Sequence, residues 1–169
     1  MIRGDYFMFS IRNFEGDKNE FEFFLYMLYE SIHIPENKPS KEVLLNSPGI
    51  RKYHEDWGRK GDKVMIAVDA ENKAVGAVWY RLFDDNNRSY GYIDGNTPEI
   101  GMAVSKEVRG RGVGTLLMHK IIQQAKDEGY NTISLSVDLE NDTAINMYQK
   151  LGFKDYEVVG TSKTMINKF

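Results

Sequence analysis

The sequence predicts a single α/β domain in which one mixed sheet carries helices on both faces. Three observations predict it. Amphipathic helical stretches alternate with short β-branched and aromatic runs in the order β, α, α, β, β, β, α, β, α, β, β. All 169 residues fit one domain (1–169), with no internal repeat, low-complexity tract or Pro/Ser-rich linker to divide it. Hydrophobic residues at 41% give a chain of this length enough apolar surface to bury a core without disulfides or metals.

The elements follow in order. "YFMFSIRNF" (6–14) reads as a first strand, and Asp17 with Glu20 three residues on resembles a capping box that opens a helix. Phe21, Phe24, Leu25, Leu28 and Ile32 form its core-facing stripe, Phe23, Tyr26 and Met27 are left on other faces, and Pro35 stops it. Residues 36–63 are polar with short helical pieces and a turn-rich end, "WGRKGD". Val64–Val68 and Ala74–Phe83 read as antiparallel strands joined by "DAENK", and Gly76 within the second marks a bulge or a close backbone approach. A long polar loop, 84–98, leads into the strand Glu99–Val104, whose alternation puts Glu99, Gly101 and Ala103 on one face. Next comes a helix with Val113, Leu116, Leu117, Ile121, Ile122 and Ala125 on its buried side and Gly129 as its stop. A strand at Thr132–Val137 precedes a helix capped by Asn141 or Asp142, with Ala144, Ile145, Tyr148 and Leu151 as its apolar stripe; "FKDYEVV" and "KTMINKF" close the sheet.

Composition narrows the function. With 22 basic and 25 acidic residues the net charge is -3, which speaks against nucleic acid or anionic membrane as a partner and favours a cationic substrate. The absence of cysteine removes thiolate nucleophiles and Cys-based zinc sites. His33, His54 and His119 have no spacing that makes a triad or a metal site, so no metal is expected. The N-terminus has no signal-like apolar core, and the longest apolar run, Phe23 to Tyr29, is too short to span a bilayer. A soluble cytoplasmic protein is expected, and a homodimer stays open.

The stretch "EVRGRGVGTLLMHKIIQQAKDEG" (107–129) carries the strongest signal. Gly110, Gly112 and Gly114 alternate with Arg111 and Val113, with Arg109 before them, directly ahead of a helix. A tight turn explains one or two of these glycines. A loop whose backbone N–H groups converge on the positive end of a helix dipole explains all three, and it is a ready site for phosphate. A nucleotide-triphosphate loop is excluded because no Gly-Lys-Ser/Thr follows a four-residue spacer. A dinucleotide fingerprint requires glycine at its sixth position, where Thr115 or Leu117 stands, although Asp138 lies at a plausible distance for the ribose acid.

Here the sequence resembles the GNAT superfamily of N-acetyltransferases, whose pyrophosphate loop has the form Q/R-x-x-G-x-G/A. Arg109, Gly112 and Gly114 match it in place, and "SVDLENDTAINMYQKLGF" matches the superfamily's second motif. The resemblance covers a cofactor-binding core of about residues 60–154. The segment "YESIHIPENKPSKEVL…WGRKGD" also resembles a bacterial branch of the superfamily that implies no particular acceptor. The resemblance implies a mostly antiparallel sheet of six to seven strands and acetyl-CoA as co-substrate. Its pyrophosphate would lie on the backbone from Gly110 through Arg111, Gly112, Val113 and Gly114 to Thr115, with Arg109 and Arg111 adding charge. Met102, Ala103 and Val104 would lie where their strand splays from the next and offers backbone groups to the pantetheine arm.

The second motif implies the chemistry. Asn141 and Tyr148 are seven residues apart, roughly 10 Å along a helix axis, so one extended ligand can touch both. By resemblance Asn141 meets the pantetheine arm and Tyr148 protonates the departing thiolate. The reaction implied is direct attack of a primary amine on the thioester in a ternary complex, without an acyl-enzyme. An amine near pH 7 is mostly protonated, so a base must remove its proton, often through water. Glu99, at the start of the strand that leads into the loop, is the candidate, with Asp84, Asp85, Asp94, Tyr90 and Tyr92 nearby in sequence to orient a cationic acceptor. Two other readings stay open at this point: a non-catalytic module that binds or senses acyl-CoA, and, more distantly, a dinucleotide-dependent oxidoreductase.

Overall fold

The structure, a computed structural model, describes residues 8–169. One seven-stranded sheet forms its centre, in the order β1-β2-β3-β4-β5-β7-β6. The strands are β1 (Ser10–Asn13), β2 (Lys63–Val68), β3 (Ala74–Arg81), β4 (Glu99–Val104), β5 (Thr132–Asp138), β6 (Lys154–Val159) and β7 (Ser162–Lys168). Every neighbouring pair is antiparallel except β4 and β5. Helix α1 (Lys18–Ser31) packs on one face against β3 and β4. The short α2 (Lys41–Leu45) and α3 (Pro48–Arg51) lie between α1 and β2. Helix α4 (Val113–Asp127) covers the other face, and α5 (Asp142–Lys150) adds Ile145 to the same core. The sheet thus separates two apolar layers: Leu117, Ile121, Leu135, Phe153 and Met165 on the α4 side, and Phe24, Met27, Ile66 and Trp79 on the α1 side. No helix among the described residues is long and apolar enough to cross a membrane.

Several expectations need correction. Strand β1 is shorter than 6–14, and the Tyr6 and Phe7 of that expectation lie outside the described residues. Met27, expected off the core face, has no exposed surface, and Phe21, Leu25 and Ile32 are only half-buried. The buried stripe is Glu20, Phe24, Met27 and Leu28, a helical face rotated from the expected one, with Phe24 set against Trp57 and Trp79 and Met27 in the same apolar layer. Helix α1 ends at Ser31, four residues before Pro35. Only half of the capping box forms: Asp17 Oδ1 accepts from Glu20 N–H at 2.8 Å, but the Glu20 carboxylate accepts from Glu15 N–H (2.7 Å) and pairs with Arg12, tying β1 to α1. Strand β3 ends at Arg81, short of Phe83, and α4 also buries Met118. Both features expected of Gly76 are present: the β2/β3 register shifts between Ala67 and Val68, and a Cβ on Gly76 would lie 3.1 Å from Leu117 and 3.2 Å from the Ala103 carbonyl.

Candidate active site

The parallel pair β4/β5 carries one register contact, Glu99 with Ser134, after which the strands separate. The direction of the freed backbone groups follows from the neighbouring ladders. Ser105 N–H donates to Val75 C=O at 2.8 Å, so along the antiparallel β3/β4 pair the odd-numbered residues bond to β3. Ile100, Met102 and Val104 therefore turn their N–H and C=O groups toward β5, while Ala103 bonds to β3. On the other side, Ser134 N–H donates to Pro98 C=O at 3.1 Å, so Ser136 and Asp138 turn their main chain toward β4. Beyond Glu99 and Ser134 the two strands form no further register pair, and of the groups that face the gap Val104 C=O accepts from Arg109 and Asp138 C=O from Asn141 N–H. An unpaired main-chain group costs free energy unless water or a ligand satisfies it.

The glycine loop stands at the open end of this gap. A short 3₁₀ turn, Lys106–Val108, follows β4, and Gly112 caps α4 with φ of +82°. Gly110 (φ +78°) and Gly112 need glycine for that left-handed backbone, and a Cβ on either would meet nothing within 4 Å. Gly114 needs it for a different reason: its φ is ordinary, but a Cβ would lie 3.2 Å from Met102 Cε and 3.7 Å from Met147 Sδ. The loop, the end of β4 and α5 thus converge at Gly114. Val113 is buried as the first residue of α4, and Thr115 is exposed. Arg109 donates from Nε to Val104 C=O (3.2 Å) and approaches Glu30 of α1 at 3.9 Å. Arg111 lies over the Phe9 ring at 4.8 Å.

Asn141 is the N-cap of α5, its Oδ1 accepting from Ala144 N–H at 3.3 Å. Tyr148 is half-buried, edge-on to Phe153 at 5.8 Å, and burial pushes its hydroxyl up to about 12, so it stays protonated through the neutral range. Between α4 and α5 runs a groove of about 540 Å³ lined by Thr115, His119, Thr143, Asn146, Met147 and Lys150. Apart from Thr115, sequence reasoning assigned these residues no site. The signal lay in their spacing, since Thr115 with His119, and Thr143 with Met147, fall at i, i+4 on facing helices.

Glu99 lies at the closed end of the gap, five residues from Val104 and on the α1 side of the sheet, so it does not meet the glycine loop. It is 5% exposed. Burial raises its pKa to about 7, and the neighbouring Tyr53 hydroxyl, the Gly91 N–H that donates to Oε1, the Ser89 hydroxyl and the Lys52 charge oppose that rise. The Tyr53, Ser89 and Gly91 contacts were not expected from sequence, because no local pattern ties residue 53 to residue 99. The loop acids expected beside Glu99 serve the loop itself. Asp84 accepts from Asn86 N–H, Asp85 pairs with Arg88 and Tyr92, and Asp94 accepts from Asn96 N–H and Thr97 Oγ.

Comparison with known proteins gives this arrangement its context. Residues 25–153 match the acetyltransferase (GNAT) family, which extends the likeness back into the second half of α1, well before residue 60. A 56-residue stretch is 46% identical to an uncharacterized N-acetyltransferase of Methanocaldococcus jannaschii, covering 33% of this chain and 25% of that protein. The chain spans 25%, 29% and 36% of the length of three curated relatives it matches. The GCN5-related N-acetyltransferase from Kribbella flavida superposes with a TM-score of 0.69 at 19% identity, over 97% of this chain and 99% of that one. A chain of the NatC complex bound to Gag peptide and CoA superposes with a TM-score of 0.66 at 18% identity, over 96% and 99%. With the family match covering most of its length, the chain belongs to the acetyltransferase (GNAT) family.

Proposed function

We propose that this chain is an N-acetyltransferase that moves an acetyl group from acetyl-CoA to a primary amine in a ternary complex. The observation that carries the reading is the gap between β4 and β5, where the two strands stop pairing, which ends at a glycine loop on a helix N-terminus. That shape fits a long ligand with a polar, amide-bearing arm and a phosphorylated end. The main-chain groups of Met102 and the N–H of Val104 would pair with the arm, with Ala103 holding the strand to β3 between them. The backbone from Gly110 to Thr115 would receive the pyrophosphate, since nothing stands within 4 Å of a Cβ on Gly110 or Gly112. Arg109 and Arg111 add positive charge beside it. CoA in a structural neighbour of the same fold supports the assignment.

When bound, acetyl-CoA supplies the activated acyl group. Glu99 would take a proton from the acceptor ammonium, through water, because the carboxylate is enclosed. A base with a pKa near the working pH combines a useful ionised fraction with proton affinity. Tyr148 would give its proton to the departing thiolate, and Asn141 would face the arm at the head of the same helix. A buried carboxylate poised near neutrality favours catalysis over a module that only binds acyl-CoA.

The test is thiol release from acetyl-CoA across a panel of polyamines, aminoglycosides, amino acids and peptides, together with a melting curve in acetyl-CoA. A ligand held only by the native state stabilises it by about 2.7 kcal/mol at a hundredfold excess over Kd, so Tm should rise. A folded, ligand-free sample with no Tm shift at millimolar acetyl-CoA would reject the reading.

A further inference from the structure

The groove between α4 and α5 is built from two helical stripes that face each other. Thr115 and His119 stand at i and i+4 on α4, and Thr143, Asn146, Met147 and Lys150 stand at i, i+3, i+4 and i+7 on α5. Its volume, about 540 Å³, is that of a small-molecule site. The groove opens from the glycine loop: Thr115 belongs to both, and the Met147 sulfur lies 3.7 Å from the place a Cβ on Gly114 would take. Strands β4 and β5 are parallel, and β6 runs the same way as β5 because each is antiparallel to β7, so α4 and α5 both return across the sheet in one direction. His119 therefore lies one turn, about 6 Å, beyond Thr115, and Lys150 lies about one turn beyond Met147 on the facing helix.

The lining chemistry selects an anion. No carboxylate lines the groove, and among the described residues the polar side chains of these stripes make no hydrogen bond or ion pair. The Lys150 charge is thus uncommitted, with the His119 ring and the hydroxyl and amide groups of Thr143 and Asn146 beside it. Arg109, by contrast, is already bonded to Val104 C=O. Met147 and Leu151 add an apolar surface, and a thioether packs well against an aromatic ring. A ligand that fits has an aromatic base and a phosphate set about a ribose away from a pyrophosphate on the glycine loop.

We propose that this groove receives the nucleotide end of acetyl-CoA, with Lys150 and His119 on the 3′-phosphate and Met147 and Leu151 against the adenine ring. The inference rests on the co-substrate reading above and adds to it the residues that tell CoA from its 3′-dephospho form. Both nucleotides carry the same pyrophosphate, so the glycine loop cannot discriminate between them. A cation in the groove can. Lys150 is exposed, which makes the discrimination modest and sensitive to salt.

The experiment is calorimetric titration of acetyl-CoA and of acetyl-3′-dephospho-CoA into the full chain and into Lys150→Gln, which keeps the stem and removes the charge. His119→Ala is titrated beside them, and circular dichroism checks that each variant is folded. At low salt the parent should bind acetyl-CoA about fivefold more tightly than the dephospho form, and added salt should narrow the difference. Lys150→Gln should weaken acetyl-CoA to the level of the dephospho form while leaving the dephospho affinity within about twofold of the parent's, and His119→Ala should narrow the preference part of the way. A parent that binds the two equally, a Lys150→Gln variant that keeps the preference, or one that weakens both ligands alike overturns the placement of the 3′-phosphate in the groove. A parent that binds neither overturns the co-substrate reading, and this inference with it.

Discussion

Glu99 sits where burial and the surrounding donors oppose each other, and its proposed role as a base depends on neither winning. Desolvation alone would drive the carboxyl far toward its neutral form, and the donors around it bring it back to about 7. Glu99→Gln keeps size and hydrogen bonding but cannot accept a proton. We expect that variant to lose rate most at neutral pH and to recover in part at high pH, where more acceptor is already the free amine. A carboxylate that only attracted the acceptor would, once neutralised, raise the acceptor KM without that recovery, so kcat and KM measured across pH distinguish the two. Tyr148 poses the complementary case. Burial raises its pKa, so the proton is in place for the transfer to the thiolate that we propose. Tyr148→Phe should lower kcat about a hundredfold and leave acetyl-CoA affinity nearly unchanged, the pattern of a lost general acid. An unaltered kcat, with chemistry shown to limit the rate, would return Tyr148 to a packing role beside Phe153.

Among the elements, the loop into α4 is where sequence and structure agree most closely, and the reason is local. Positive φ at Gly110 and Gly112 is a property of single residues and their neighbours, so a glycine pattern can announce it. Gly112→Val would put a β-branched side chain at φ of +82° and raise a wall on the face where backbone N–H groups converge. Such strain costs on the order of 1–3 kcal/mol, small enough to leave the domain folded. We expect the variant to keep its circular dichroism spectrum and lose the acetyl-CoA-dependent rise in Tm; normal binding would mean that the pyrophosphate lies elsewhere. The strands β2, β4 and β5 and the helices α4 and α5 were legible for the same reason, since alternation, apolar periodicity and caps are written within each segment. The face of α1 was not, because Met27 rather than Leu25 turns into a layer built with Ile66, Ala77 and Trp79 of β2 and β3, far along the chain. The surroundings of Glu99 were hidden on the same ground. The Tyr53, Gly91 and Arg81 contacts join distant parts of the chain, and the loop acids that seemed placed for an acceptor are spent on their own turns.

For the whole molecule, a buried carboxyl with a raised pKa ties the stability of the fold to pH. In the unfolded chain Glu99 titrates near 4.5, whereas in the folded protein it titrates at about 7, so between those values the native state holds a proton that the unfolded state has released. The stability this proton contributes is complete below the lower value and is lost as pH rises through the upper one. A difference of that size corresponds to on the order of 3 kcal/mol between the two ends of the window. Glu99→Gln removes the titration. Urea denaturation at pH 5 and pH 8 should therefore show the parent protein losing stability toward pH 8 and the variant losing less, so that Glu99→Gln becomes the more stable of the two at the higher pH while being the poorer catalyst. If both proteins lost stability equally between pH 5 and pH 8, Glu99 would be ionised over that whole range in the folded state, and a carboxylate that has already given up its proton at pH 5 could not be the poised base that the site requires.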